Sequence, residues 1–226
     1  MVPPAMPFTP PSPPRAGTPP RLWDVSPVVS AAAPIFPGDE PYRLSWTARL
    51  APGCPVNLSA VTMSPHVGAH ADAPLHYAEG APDIAAVALG PYLGRCRVIH
   101  ALGAAPLVTV AHLLHAQHDL PPRVLVRCCE KADTAWNPAF TAYAPEALAW
   151  LAARGVQLVG IDTPSVDPAD SKTLDSHQLL RHHDLRVLEN LVLDDVPEGD
   201  YELIALPLKL QGACASPVRA VLRELP

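Results

Sequence analysis

The stretch "SPHVGAHADAPLHY", residues 64–77, sets three histidines and an aspartate within eleven positions, His66 to His76. His66, His70, Asp72 and His76 all fall at even positions, so an extended segment would present them on one face, because successive strand side chains alternate. A helix would split them, and Pro65 and Pro74 oppose one. A straight strand has its own difficulty: four residues span ~13 Å, near the limit at which two imidazoles can meet on one ion. The chain must therefore bend. Gly68 is the cheapest place for a kink, and Pro74 allows a second turn before His76.

Two neutral imidazoles and a carboxylate suit zinc or a similar divalent ion and leave a position open for water. Water on such an ion supplies hydroxide near neutral pH and needs a neighbour to carry protons, a role open to His76, which lies beyond the ligand triplet. The competing reading is a hydrogen-bonded polar turn that holds no ion. Serine or cysteine nucleophiles have less support: the chain contains no G-x-S-x-G elbow, and no motif sets a histidine beside a cysteine.

The elements that must carry these residues are short. "VNLSAVTM", "CRVIHAL", "RVLVRCC", "VQLVGID" and "YELIALPL" read as strands, the later ones apolar almost throughout, as strands buried on both faces should be. "TVAHLLHAQ", "APEALAWLAARG" and "SHQLLRHHD" read as helices, the second with Pro145 in its first turn and Gly155 at its C-terminal cap. Strand and helix alternate from about residue 96, which predicts an α/β domain with an antiparallel N-terminal third.

At 226 residues, with 49% hydrophobic residues, the chain fits one domain with a sizeable core. A net charge of −6 and scattered basic residues argue against nucleic acid and favour a small-molecule substrate. No apolar run is long enough for a membrane span. Five cysteines, Cys54, Cys96, Cys128, Cys129 and Cys214, without paired spacing read as free thiols in a reducing, cytoplasmic compartment. The first twenty residues hold nine prolines and predict a disordered leader over 1–20, with the globular domain over 21–226.

"HVGAHADAPLHY" resembles the H-x-G-T-H-x-D-x-P-x-H signature of the metal-dependent cyclase-like hydrolases, in particular the bacterial kynurenine formamidases (arylformamidases). "WDVSPVVSAAAPIFPGDEPY", "GIDTPSVDPADSKTLDSHQLL" and "LENLVLDDVPEGDYELIALPLKLQGACASPVRAVL" resemble further sections of the same family, so the resemblance covers nearly everything after the leader. It implies a swivelling β/β/α fold with a mixed sheet, a homodimer, and hydrolysis of N-formyl-L-kynurenine to L-kynurenine and formate. It also implies two divalent ions per subunit, zinc first, with manganese or cobalt also suited to the ligands. By position, His66, His70 and Asp72 match the first ion's ligands, and Asp72 bridges to a second held by His177 and Glu189. His76 matches the proton donor and acceptor, and Phe36 an aromatic residue set against the substrate.

Ala69 stands where the motif carries threonine, which predicts tuning of the site rather than its loss. Without the resemblance, spacing could not choose among His177, His182 and His183. Rival activities are another hydrolase or cyclase of the same family, acting for example on isatin or a polyketide, and a metal-dependent binding protein without turnover. Three further features carry an ordinary reading beside a functional one. Asp162 could border the site or cap a turn, and Trp136 could cover the pocket or staple its own loop. His112, His115 and His118 could form a ligand face or the solvated side of a helix.

Overall fold

In the computed structural model, residues 19–226 are described; the leader expected over 1–20 lies outside them except for its last two positions. In chain order the strands are β1 (Leu22–Asp24), β2 (Arg43–Ala48), β3 (Leu58–Thr62), β4 (His70–Asp72), β5 (Leu93–His100), β6 (Leu107–Val108), β7 (Arg123–Arg127), β8 (Ala142–Tyr143), β9 (Leu158–Ile161), β10 (Arg186–Glu189), β11 (Gly199–Ile204), β12 (Ala215–Pro217) and β13 (Val221–Glu224). Among the described residues two α-helices join them, α1 (Pro145–Ala152) and α2 (Asp175–His183). Among the described residues one nine-stranded sheet runs in the order β1-β13-β11-β5-β7-β9-β10-β4-β12.

Its centre, β5-β7-β9-β10, is parallel, and the flanking pairs are antiparallel, so the sheet is mixed as expected. The near-continuous apolar runs follow from burial on both faces. On β7, Val124 and Val126 join the cluster that receives Leu148 and Leu151 of α1 and Leu180 of α2, while Leu125 points into the opposite cluster with Val98, Leu158 and Leu188. Each fully buried leucine contributes about 1.5–3 kcal/mol. Pro145 opens α1, and Gly155, at φ +83°, follows its end.

One expected helix is absent. "TVAHLLHAQ" forms two successive 3₁₀ turns, Val110–His112 and Leu114–Ala116. Thr109 and His112 close a capping box there, with the Thr109 N–H donating to His112 Nδ1 at 3.0 Å, so local side-chain bonding stops the run after one turn. The histidine ladder therefore has no common helical face; His115 instead meets Glu198 at 2.9 Å.

β2 and β3 stand apart as an antiparallel hairpin, and Leu44, Trp46, Leu58 and Val61 on it are exposed.

Candidate metal centre

The even-numbered residues meet because the chain bends where glycine permits. Residues 65–69 form turns, with Gly68 at φ +73°, and a Cβ there would stand 2.7 Å from Val29 Cγ2. Only His70–Asp72 is strand, a narrower extended segment than the spacing suggested, and Pro74 opens the 3₁₀ turn that ends on His76. β4 lies between β10 and β12, and its register sets Glu189 directly opposite His70. Directly opposed residues share a face, which brings Glu189 Oε2 to 3.2 Å from His70 Nε2. His177 comes from the first turns of α2, and its Nε2 lies 3.4 Å from Asp72 Oδ2 and 3.7 Å from Glu189 Oε1. His66 completes the group, with Nδ1 3.1 Å from Asp72 Oδ1.

Three of these histidines are oriented from outside the cluster, each by a different kind of partner. Nδ1–H of His70 donates to the Gly68 carbonyl at 2.9 Å, which turns Nε2 inward. His177 Nδ1 bonds Asp167 Oδ2 at 2.6 Å, and Asp167 also accepts the backbone N–H groups of Ser176 and His177 at 2.8 and 2.9 Å, capping α2 from its side. His66 Nε2 meets the Cys214 thiol at 3.3 Å. Glu189 is fixed by the Val166 N–H at 2.8 Å.

His70, Asp72, His177 and Glu189 are between 1% and 3% exposed. Burial disfavours the charge on His70, but the Glu189 carboxylate beside it and the field of Asp72 outweigh that and lift it to about 9. Burial likewise opposes protonation of His177, which Asp167 and Asp72 overcome, raising it to about 10. Burial pushes Asp72 up, yet the adjacent His177 and His66 rings hold it well below the usual carboxylate range. Histidine protons thus balance the buried carboxylates, and a divalent cation would displace them.

The donor set fits such an ion. Donors about 2.0–2.2 Å from an ion at tetrahedral angles stand roughly 3.3–3.6 Å apart, and the spacings here run from 3.1 to 3.7 Å. His70 Nε2 and Asp72 Oδ1 are buried with no conventional hydrogen-bond partner. Asp72 turns one oxygen to His66 and His70 and the other to His177, the arrangement a bridging carboxylate needs.

Above the cluster lies a pocket of about 210 Å³ at the C-terminal ends of β9 and β10. Its floor is His66, His70, His177 and Glu189; its wall includes Phe36, Trp136 and Leu174. His76 stands at the edge, its ring 4.3 Å from that of His66 and 5.7 Å from that of His177. Desolvation in the pocket lowers its pKa against the pull of Asp72, and the neighbouring His66 and His177 rings add to the lowering. Phe36 and Trp136 meet edge to face at 4.9 Å.

All seven residues singled out in the sequence, Phe36, His66, His70, Asp72, His76, His177 and Glu189, are thus brought to one place. Trp136 takes both of its readings, since it lines the pocket and also packs at 6.0 Å on Phe140 of its own loop. Asp162 serves as a tie: its carboxylate accepts the N–H groups of Cys128 and Cys129 at 2.9 and 3.0 Å, joining the ends of β7 and β9. Ala69 packs within an apolar cluster, where a hydroxyl would need a partner. Sequence reasoning missed Asp167 and Cys214. Asp167 lies well ahead of the helix it caps, away from the N-cap position at Leu174, so no local signal marks it, and none marks Cys214.

Residues 23–168 match the family model described as putative cyclase. The chain is 67% identical over 206 residues to a kynurenine formamidase of Bordetella pertussis, covering 91% of this chain and 99% of that protein. It is 62% identical to a kynurenine formamidase of Delftia acidovorans, covering 91% and 98%. A solved structure titled as a potential metal-dependent hydrolase with cyclase activity superposes with a TM-score of 0.81 at 25% identity, covering 92% of this chain and 99% of that one. Isatin hydrolase A from Labrenzia aggregata, at 21% identity and a TM-score of 0.79 with 92% and 94% covered, shares the fold.

Proposed function

The chain belongs to the cyclase family, and from that premise we propose that it is a kynurenine formamidase, a hydrolase that releases L-kynurenine and formate from N-formyl-L-kynurenine. The observation that carries this reading is the buried cluster of His66, His70, Asp72, His177 and Glu189 under an aromatic-walled pocket, in a chain 67% identical to a named formamidase. The isatin hydrolase likeness, at 21% identity, supports the fold and no more.

In this reading His66, His70 and Asp72 would hold one divalent ion, and Asp72, His177 and Glu189 would hold a second. Neutral imidazole with carboxylate suits zinc first, then manganese or cobalt. When bound, such ions polarise an amide carbonyl and acidify water. The protein's own residues do the rest. Phe36 and Trp136 grip the aryl ring, which sets the formyl group toward the polar floor. His76, whose lowered pKa leaves it neutral near pH 7, takes a proton from the attacking water as its oxygen bonds to the formyl carbon. The same ring then gives that proton to the aniline nitrogen as the C–N bond breaks, so water and formyl amide become formic acid and amine, and the acid ionises to formate with release of one proton to solvent. A formyl group is the smallest acyl group, and a confined floor selects it over bulkier amides.

The protein is read as a cytoplasmic homodimer acting on a small molecule. An isolated two-stranded hairpin is marginal in water, so the exposed apolar side chains of β2–β3 support a covering second copy. Five free cysteines support a reducing compartment. Among the described residues no helix is long and apolar enough to cross a membrane.

The test is elemental analysis of protein purified without chelator, paired with a formylkynurenine assay. Bound divalent metal and kynurenine release are expected; an active preparation free of metal would sink the scheme.

A further inference from the structure

The pocket has an uneven charge distribution that the hydrolytic chemistry does not use. Among the described residues its lining includes no lysine or arginine, and two acidic side chains, Glu189 and Asp39. Glu189 belongs to the floor cluster. Asp39 stands apart from it, half-buried in the loop that also carries Phe36. That loop is shaped for the purpose: the Asp39 N–H closes a turn onto the Phe36 carbonyl at 3.0 Å, with Gly38 at φ +101°.

The carboxylate is steered from one side. Ser64 Oγ donates to Asp39 Oδ2 at 3.1 Å and accepts the His66 N–H at 3.3 Å, so a single hydroxyl ties Asp39 to the backbone of a floor residue. Among the described residues Ser64 is the hydrogen-bond donor to Asp39, and it engages Oδ2 and leaves Oδ1 for a ligand. An anion set apart from the floor, where the described lining places no lysine or arginine beside it, favours a cationic ligand group in its own neighbourhood.

We propose that Asp39 is the specificity residue that receives the α-ammonium group of the amino-acid substrate. This rests on the formamidase reading and extends it from the formyl end of the substrate to the other end. With the aryl ring between Phe36 and Trp136 and the formamide on the floor, the ortho acyl chain runs to the rim. The ammonium then meets Asp39, and the α-carboxylate, for which the described lining offers no lysine or arginine at the rim, faces solvent.

The experiment compares two substrates on the metal-loaded enzyme: N-formyl-L-kynurenine, and 2-formamidoacetophenone, which keeps the aryl formamide and ketone but lacks the amino acid. In Asp39→Asn the ratio of kcat/KM for the first over the second should fall about tenfold, mainly through KM, the size expected for one charged hydrogen bond in a half-buried setting. Asp39→Lys should go further and favour 4-(2-formamidophenyl)-4-oxobutanoate, which keeps the carboxylate and has no ammonium. An equal loss on both substrates would mean that Asp39 only props its loop, and an unchanged ratio that it touches neither; either result overturns the assignment. If wild-type enzyme hydrolyses the truncated formanilide but not formylkynurenine, the assignment falls while amidase chemistry stands. If it hydrolyses neither, the formamidase reading falls and takes this with it.

Discussion

The floor of the pocket is built mainly from regular elements: His70 and Asp72 from a strand paired on both sides, Glu189 from the strand beside it, His177 from a helix, with His66 added from the turn ahead of β4. The rim is built from connections, with Phe36 and Asp39 in the loop between β1 and β2 and Trp136 in the loop between β7 and β8. The four floor residues on regular elements are almost sealed from solvent, whereas Phe36 is 42% exposed. Ion binding needs donors held to a few tenths of an ångström, which sheet register and helix capping supply. Recognition of a flexible amino acid tolerates a softer frame.

If that contrast is real, the largest effects belong to the floor. Asp72→Ala should lose metal and activity together, because in the proposed two-ion site this carboxylate would offset the repulsion of the two dications, and its removal would leave them facing each other across neutral imidazoles. Metal stoichiometry and formylkynurenine turnover measured side by side would decide; a metal-replete, active variant breaks the assignment. His76 tests the boundary, since it follows directly on β4 but lies at the exposed edge. His76→Ala should cut kcat by ~10²–10⁴ with metal content near wild type. A metal-depleted His76 variant would move it from rim to floor.

The two regions also differed in how far the sequence revealed them. The floor was largely legible: even spacing gave His66, His70 and Asp72 a common face, glycine and proline marked the bends, and unbroken apolar runs marked the central parallel strands. Choosing His177 over His182 and His183 needed the family resemblance, because the side of α2 that faces β4 depends on packing 105 residues away. The second pair of supports, Asp167 to His177 and Cys214 to His66, spans contacts of 10 and 148 residues with no repeat to betray them. The failed helix at 109–117 has a local cause: the Thr109–His112 capping bonds competed with the 3.6-residue period and won.

Asp167 sharpens the comparison from behind the floor. It touches no pocket space but fixes the His177 ring and caps α2 at once. Asp167→Ala should weaken metal affinity by about 10–100-fold, the usual cost of removing a histidine's outer partner. Chelator competition would measure this directly, and Asp167→Asn, which can still accept Nδ1–H, should recover part of it. Equal affinity in all three proteins would show that the helix alone positions His177.

The smallest effect should come from the rim, and it should differ in kind as well as size. Phe36 and Trp136 form an edge-to-face pair at 4.9 Å, worth about 0.5–1.5 kcal/mol beyond the area it covers, and Phe36 already meets solvent on its outer side. Phe36→Ala should therefore raise KM by roughly 3- to 10-fold through lost grip on the aryl ring. It should leave metal content untouched, because His70, Asp72, Glu189 and His177 are held by β4, β10 and α2 rather than by this loop. kcat should change less than KM, since the proton path proposed through His76 and the floor does not pass through this loop. Phe36→Leu, which keeps apolar bulk without the ring, separates grip from simple exclusion of water: a KM near wild type would assign the effect to bulk, and one near the alanine variant to the aromatic face. Loss of metal in either variant would show that the rim braces the floor, and the division between a rigid ion site and a soft recognition edge would have to be given up.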